Sequence, residues 1–298
     1  MRFLFLLLAL ALPAQATDLK LATWNIAWAT LRPEGDREVP RDVARRTDAD
    51  WALLRAYATR LDADVIAFQE IDGPRAAARV FDERVYAFFF PDEEDVQRAG
   101  FAVRRTLRVT QNPDLAQLDL RPWARFTLRR GTDITIDHAG HRLRLLSVHL
   151  SASCNEAALD SSPQCASIAT QANVLAGWVA QRREEGVPFA MMGDFNRRIA
   201  PARGTGNGTG NGAGNGTGDG DEFLARMGGP LTRATEGYSN PCFSPASGGR
   251  PFIDHIFLGG AARGWMVNNT LRVLVYAERD ARDRISDHCP VSVRLRLP

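Results

Sequence analysis

Short apolar runs that stop abruptly at polar residues constrain this chain more than any other feature. Residues 187–192 are followed by Gly193, Asp194, Phe195 and Asn196; residues 65–68 lead into Gln69 and Glu70; residues 145–148 lead into His149. Runs this short fit strands covered on both faces better than helices, which need ten residues or more. Side chains two apart in a strand share a face. If the strand continues to Asn196, Asp194 and Asn196 therefore converge on one spot at its C-terminal end. Gly193 would let backbone or a ligand approach closely there. A carboxylate beside an amide suits a metal, a water or a phosphate, and it equally suits a plain strand-to-turn exit.

The remaining chain alternates strand and helix patterns. Strands are expected at residues 18–25, 64–70, 86–90, 100–104, 125–129, 133–136, 142–150, 188–192, 252–258, 271–276 and 290–297. Helices are expected at 47–61, with Thr47 or Asp48 as cap, at 74–83 and at 164–184. Residues 32–46 and 280–284 read as a charged loop and a charged turn. Residues 204–220 place glycine at every second position and predict a flexible insertion that buries nothing. Asp219, Asp221 and Glu222 at its end read as a solvated loop rather than a calcium site. Interleaved strands and helices without a composition break predict one domain over residues 17–298, with two stacked sheets and helices outside. A chain of 298 residues is ample for such a core.

The first residues stand apart. Met1-Arg2, the apolar run 3–12, Pro13 and Ala14-Gln15-Ala16 have the layout of a secretory signal peptide, residues 1–16, with an uncleaved anchor as the alternative. The expected location is secreted or periplasmic, and no later stretch is long and apolar enough to cross a bilayer. Four cysteines can pair in such a compartment. Of three connectivities, Cys154–Cys165 with Cys242–Cys289 is favoured, because the first two flank one polar loop. Net charge is +2, which says nothing about a polyanionic partner. One lysine, Lys20, against 36 arginines is the bias of a GC-rich bacterial genome and carries no functional signal by itself.

Polar residues interrupt or close apolar strands at Asn25, Glu70, His149, Asp194 with Asn196, Asp254, and Asp287 with His288. Any one reads as a hydrogen-bonded core group, and a lone strand histidine is more often structural than catalytic. The set as a whole resists that reading. Thr-Trp-Asn (23–25), Gln-Glu (69–70), Ser-Val-His-Leu (147–150), Gly-Asp-Phe-Asn (193–196), Ile-Asp-His-Ile (253–256) and Ser-Asp-His-Cys-Pro-Val (286–291) follow one another in order. In this the chain resembles the endonuclease/exonuclease/phosphatase superfamily, the DNase I-like proteins, from about residue 18 to the C-terminus. The resemblance implies an α+β fold, a four-layer α/β/β/α sandwich with two stacked mixed β-sheets flanked by helices. It also implies hydrolysis of phosphate esters with a divalent ion, Mg²⁺ or Mn²⁺, with Ca²⁺ as a further candidate.

The residue types suit that chemistry. Glu70 is a hard oxygen ligand, with Asn25 and Asp287 as helpers, and a cation held there acts as a Lewis acid on a phosphate oxygen. By resemblance, His288 is the general base, oriented by Asp254. His149 donates to the phosphate or leaving oxygen, and Asp194 and Asn196 position water and phosphate. The nuclease branch supports the histidine matched by His149 with a glutamate. Here the matching stretch is Gln97-Arg98, and Gln97 supports an imidazolium less strongly. Arg98, Arg197 and Arg198 are candidate phosphate contacts, each with a solvated surface role as its alternative. His138, His141 and His255 receive no role. The resulting expectation is a secreted, metal-dependent phosphodiesterase, foremost an endonuclease with nucleic acid as its substrate partner, monomeric and without a protein partner. The alternatives are a phospholipase C-type enzyme on sphingomyelin, touching membrane lipid through an apolar tip at residues 88–90 or 264–266, a small-molecule phosphatase, and a non-catalytic binding protein.

Overall fold

The structure is a computed structural model and describes residues 18–199, 219–243 and 249–298. The signal-peptide segment 1–16 and residues 204–218 of the glycine tract lie outside the described residues.

The first half of the chain forms β1 (Asp18–Ala29), α1 (Asp48–Leu61), β2 (Val65–Ile71), α2 (Gly73–Val80), β3 (Tyr86–Phe89), β4 (Arg98–Arg104), β5 (Arg108–Gln111), β6 (Thr132–His138) and β7 (His141–His149). The second half forms α3 (Pro163–Glu184), β8 (Phe189–Asp194), α4 (Asp219–Met227), β9 (Leu231–Arg233), β10 (Asp254–Gly259), β11 (Arg272–Val273), α5 (Ala281–Arg284) and β12 (Val291–Arg296). Two six-stranded mixed sheets result, in the orders β11-β12-β1-β2-β4-β3 and β5-β6-β7-β8-β10-β9. The pairs β1/β2 and β7/β8 are parallel, and the other pairings are antiparallel. The expected α+β four-layer arrangement is what forms.

Strand alternation builds the layers. Leu19 and Leu21 of β1, Val65 and Ala67 of β2, Leu143 and Leu145 of β7, and Ala190 and Met192 of β8 meet between the sheets. Their neighbours, such as Trp24, Ile66 and Phe68, face outward and are covered by Trp51, Leu54, Ala58 and Leu61 of α1. Leu146, Val148 and Met191 are covered in the same way by α3. Both faces of the central strands are thus buried, which is why their sequences are continuously apolar. The cap of α1 is Thr47: its hydroxyl accepts from the Asp50 N–H while the Asp50 carboxylate accepts from the Thr47 N–H at 2.8 Å, a reciprocal capping box. The phenylalanine run is partly buried against the core, with Phe88 and Phe90 on α1's layer and Phe89 on the layer between the sheets.

Three expectations need correction. Residues 125–129 form no strand. They belong to an irregular crossing segment in which the Leu128 N–H is satisfied by the Asp119 carboxylate at 2.9 Å instead of a strand partner. Residues 271–276 pair only at Arg272–Val273, after which Tyr276 turns inward and donates its hydroxyl to the His288 carbonyl at 2.5 Å. Residues 219–222 begin α4 rather than a loop, and Glu222 pairs with Arg226 one turn on, at 2.7 Å.

Both favoured disulfides, Cys154–Cys165 and Cys242–Cys289, are present, closing 11 and 47 residues. Chain-entropy arguments give about 3 and about 4 kcal/mol respectively. Reduction of the unfolded protein should add four hydrogens to its intact mass. The Cys242→Ser/Cys289→Ser variant should lose more stability in urea unfolding than Cys154→Ser/Cys165→Ser; the reverse order would show that loop closure does not set their contributions.

Candidate active site

The layer between the sheets changes character towards one end. Leu19 and Leu21 are followed on the same face by Thr23 and Asn25, Val65 and Ala67 by Gln69, Leu143 and Leu145 by Ser147 and His149, and Ala190 and Met192 by Asp194. The antiparallel β10 contributes Asp254 at its start. Because β1/β2 and β7/β8 are parallel pairs, their C-terminal ends coincide, and the apolar layer gives way to a polar one there. Thr23 donates to Gln69 at 3.3 Å, and the Gln69 amide reaches Ser147 across the sheets at 3.5 Å. Register then sets His149 beside Asp194 and Asp194 beside Asp254.

Asp194 is the hub. It is 2% exposed, and its Oδ2 accepts from Asn25 Nδ2 at 3.1 Å. The same oxygen lies 3.6 Å from His149 Nε2 and 3.8 Å from His288 Nε2. Oδ1 accepts from the Asn196 N–H at 2.8 Å. This side-chain turn, with Asn196 at φ 50°, ends the strand directly after Asp194. Asp194 and Asn196 therefore meet through a turn and not through continued alternation. The Asn196 amide donates to Leu150 O at 3.1 Å. Gly193 is obligatory, since a Cβ there would lie 2.0 Å from the Val148 carbonyl oxygen.

Glu70 reaches the cluster against strand alternation. It follows Gln69 and by parity should face α1, but its φ of 62° turns it inward. Its carboxylate accepts from Asn25 Nδ2 at 2.9 Å and from the Trp28 N–H at 3.0 Å, and Oε1 lies 3.7 Å from His149 Nε2. Ala27 and Trp28 also have positive φ, at 44° and 56°. Such backbone persists only where surrounding contacts over-determine it. Arg46 supplies those contacts. It donates to the carbonyls of Ile26 and Ala27, each at 2.7 Å, of Trp28 at 3.0 Å, and of Ile285 at 2.8 Å on the segment leading to His288. Its burial lowers its pKa to about 10, still charged at neutral pH.

His288 Nδ1 lies 2.9 Å from Asp254 Oδ2, while the exposed Asp287 has Oδ1 4.0 Å from Nε2. Ser286 fixes the turn, donating to Asn25 O at 2.7 Å and accepting from the His288 N–H at 3.0 Å. Burial opposes charging of His288, but Asp254 and Asp194 outweigh it and raise its pKa well above the ordinary range. His149 goes the other way. Burial, reinforced by Arg129 and by His288, holds its pKa well below that range. The Gln97 main chain, not its side chain, faces this imidazole and favours the charged form weakly; Nδ1 makes no complete hydrogen bond. Burial also pushes the Asp194 carboxyl up, and Asp254 adds to this while His288 pulls it down.

Asn25, Glu70, His149, Asp194, Asn196, Asp254 and His288 are thus gathered at one end of the sandwich, with Asp287 at its rim. Two arginines are not gathered there. Arg197 is fully buried and donates to the Cys154 and Ala157 carbonyls, at 2.5 and 2.8 Å, so it braces a loop and cannot meet a substrate phosphate. Arg98 is held by Asp72 at 3.3 Å and the Glu93 carbonyl at 3.1 Å, over the Phe90 ring. Arg198 pairs with the exposed Glu156 at 2.7 Å. His255 is buried between Thr235 Oγ1 and Arg197 O, and burial lowers its pKa to about 3. The sequence reading missed Arg46, Trp28, Tyr276, Ser286 and Arg129, whose guanidinium donates to His149 O and Leu150 O. Arg46 carries no sequence signal beyond lying in a charged loop.

The donor set fits a divalent cation. Asp194, Asp254 and His288 present ligand atoms within 4.8 Å of one another, and Glu70 adds a further carboxylate against a single charged imidazole. Hard oxygens in negative excess are the environment such ions take. The sequence profile of the Endonuclease/Exonuclease/phosphatase family matches residues 22–288. The chain belongs to this family. Members of the endonuclease/exonuclease/phosphatase family are divalent-metal-dependent hydrolases of phosphate esters, and the chain is such a hydrolase. No curated protein matches the sequence. Among solved structures, truncated Caenorhabditis elegans TDP2 superposes with a TM-score of 0.58 at 13% identity, over 94% of this chain and 98% of that one. D. rerio TDP2, complexed with a single-strand DNA product, gives 0.57 at 16% identity over 94% and 100%. The 3′ phosphatase NExo from Neisseria, bound to a product DNA hairpin, gives 0.55 at 16% identity over 94% and 100%. At these identities the likeness is one of fold.

The His288–Asp254 pair generates a pH prediction. Folding raises the His288 pKa, so its contribution to stability is complete below about pH 6.5 and is lost as pH rises through the folded value. In chelated protein the His288 ring resonances should titrate above the ordinary histidine range, and Asp254→Asn should move the midpoint down. An unchanged midpoint would rule out Asp254 as the source of the shift.

Proposed function

We propose that the protein is an exported, Mg²⁺- or Mn²⁺-dependent phosphodiesterase that cuts DNA or RNA as an endonuclease. The observation carrying this is the convergence of Glu70, Asn25, His149, Asp194, Asp254 and His288 from both sheets, at the polar end of the layer between them. Glu70, with Asn25 and Asp287 as helpers and the carboxylates of Asp194 and Asp254 beside them, would hold the cation, which would supply Lewis-acid polarisation of a phosphate oxygen. Asp254 orients His288 for proton transfer with the attacking water. His149, kept neutral by burial, donates a hydrogen bond to the phosphate or leaving oxygen, and Asp194 and Asn196 fix the water and phosphate. Export rests on the 1–16 leader and on the two disulfides, which suit an oxidising compartment. Nucleic acid as substrate draws support from the DNA-bound TDP2 and NExo structures that share the fold. Internal cutting draws support from the open cleft that runs out from the cluster beside Asp254 and His288.

A lipid reading has one observation in its favour: Trp123 and Phe126 are exposed on the segment that crosses beside the site. The tips first considered for it do not serve, since Phe88–Phe90 and Trp265 are partly buried and packed against the core.

Covalently closed circular DNA separates these readings, having no ends. With Mg²⁺ or Mn²⁺ it should be nicked, and excess chelator should stop the reaction; release of phosphocholine from sphingomyelin without DNA or RNA cleavage would replace the nuclease reading by the lipid one. His288→Ala and Asp194→Ala should each lower the rate by about 10²-fold or more with circular dichroism unchanged. Full activity in either variant would remove that residue from the mechanism.

A further inference from the structure

We propose that the cleft beside His288 is a second phosphate-binding subsite, which holds a phosphate neighbouring the scissile one in an extended nucleic-acid strand. The proposal deepens the nuclease reading above and rests on it for the identity of the strand. The cleft measures about 370 Å³ and shares Asp254, Asp287 and His288 with the catalytic cluster. It is also lined by Arg198, Arg250 and Arg282, together with Asn155 and Phe243.

Several arginines of this fold are neutralised by nearby carboxylates, which removes them as phosphate ligands. Arg32 and Arg98 meet Asp72, Arg144 meets Asp133, and Arg284 meets Asp50. Among the described residues neither Arg250 nor Arg282 has a carboxylate partner, although both face a cleft that opens on the catalytic cluster. The Arg282 guanidinium lies 5.0 Å from the centre of the Phe243 ring, an arrangement that favours a defined plane while leaving its N–H groups free. Among the described residues the Arg198 guanidinium meets Glu156, whose side chain is exposed, so an incoming phosphate can compete for it at little cost. The Cys242–Cys289 bridge joins the residue before Phe243 to the residue after His288, so the cleft wall and the catalytic imidazole are covalently coupled. The cleft beside Trp28 is of mixed charge, with Glu38, Glu93, Glu94, Asp95 and Asp119 in excess over Arg125, Arg129 and Arg130. A planar, always-charged, unpaired guanidinium is the group best suited to bidentate contact with a phosphate. Two or three of them on one flank give the strand a preferred side.

Binding can be read apart from turnover. The probe is a 5′-fluorescein single-stranded phosphorothioate oligonucleotide, which keeps its charge and resists hydrolysis. Its Kd is measured by fluorescence anisotropy with Mg²⁺ over a series of salt concentrations. Arg250→Ala/Arg282→Ala should raise Kd about tenfold or more and flatten the log Kd against log salt slope by about 1.4, at about 0.7 per lost contact on a single strand. Arg250→Lys/Arg282→Lys should restore most of the slope. Arg108→Ala/Arg142→Ala, which removes equal charge at the far ends of β5 and β7, should leave both quantities in place. An unchanged Kd and slope in the Arg250/Arg282 double variant, an equal loss in the Arg108/Arg142 control, or no binding by the wild type would each overturn the subsite. Cleavage of the ordinary phosphodiester oligonucleotide is scored separately: arginine-dependent binding without cleavage keeps the subsite and sinks the nuclease reading.

Discussion

A carboxylate buried between two β-sheets is the constraint from which the rest of this structure follows. Asp194 sits where the inter-sheet layer ends, 2% exposed, within 4 Å of two imidazoles and bonded to an amide from the opposite sheet. Ionised carboxylates leave water at a cost of several kcal/mol unless charge and hydrogen bonds compensate. The chain supplies part of that compensation from four separate segments, and burial still raises the Asp194 pKa to about 7. Asn25 comes from β1, the Asn196 N–H from the turn after β8, His149 from β7, and His288 from the turn before β12. That requirement explains why the layer turns polar by degrees, through Thr23, Gln69 and Ser147, rather than at a sharp boundary. It also explains why Gly193 must pass so close to the Val148 carbonyl, since β7 and β8 have to run in tight parallel register for His149 to meet Asp194.

Neighbouring backbone is held in uncommon conformations for the same end. A glutamate at φ 62° and two further positive-φ residues at Ala27 and Trp28 would relax if left to themselves. Arg46 prevents this by bonding the carbonyls of three consecutive residues after Asn25 and one before Ser286. A single half-buried cation thereby ties the Glu70 side of the site to the His288 side. Tyr276 complements it, accepting from Trp24 Nε1 at 2.8 Å while donating to His288 O. Residues that never approach the substrate thus decide whether the cluster exists.

Legibility from sequence divides along the same line. Strand parity is local, so the step from Leu19 and Leu21 to Thr23 and Asn25, or from Ala190 and Met192 to Asp194, could be read directly. The layers, the covered strands and the convergence of polar ends follow from it. Glu70 was picked out by its motif, but its direction could not be read, because one backbone torsion reverses the parity that alternation assigns. Arg197 shows the opposite failure. Following Gly-Asp-Phe-Asn it looks like a phosphate ligand, yet it points into the protein and spends its donors on the Cys154–Cys165 loop. Adjacency in sequence carries no information on side-chain direction once the chain has turned at Asn196. Residues 125–129 failed as a strand for a tertiary reason: Asp119 satisfies the Leu128 N–H and no strand lies alongside.

The two histidines flanking Asp194 carry the argument into chemistry. Each lies within 4 Å of the same carboxylate oxygen, but their environments push them apart: His288 has Asp254 as well and stays protonated, while burial, with Arg129 adding to it, keeps His149 neutral. Oppositely tuned titratable groups at one site are the usual means of running proton transfer at neutral pH. The direction matters for the roles taken from sequence. A base must shed its proton before it can accept one, and His288 holds its proton only while Asp194 and Asp254 have no other positive charge to face. With a divalent cation bound beside Asp194 and Asp254, His288 would lose the charge partners that hold its proton and would deprotonate at lower pH, because metal binding and deprotonation are linked. Activity should therefore rise with pH to a midpoint that moves downward as the divalent ion concentration is increased. A midpoint indifferent to the ion would mean that His288 does not act as the base.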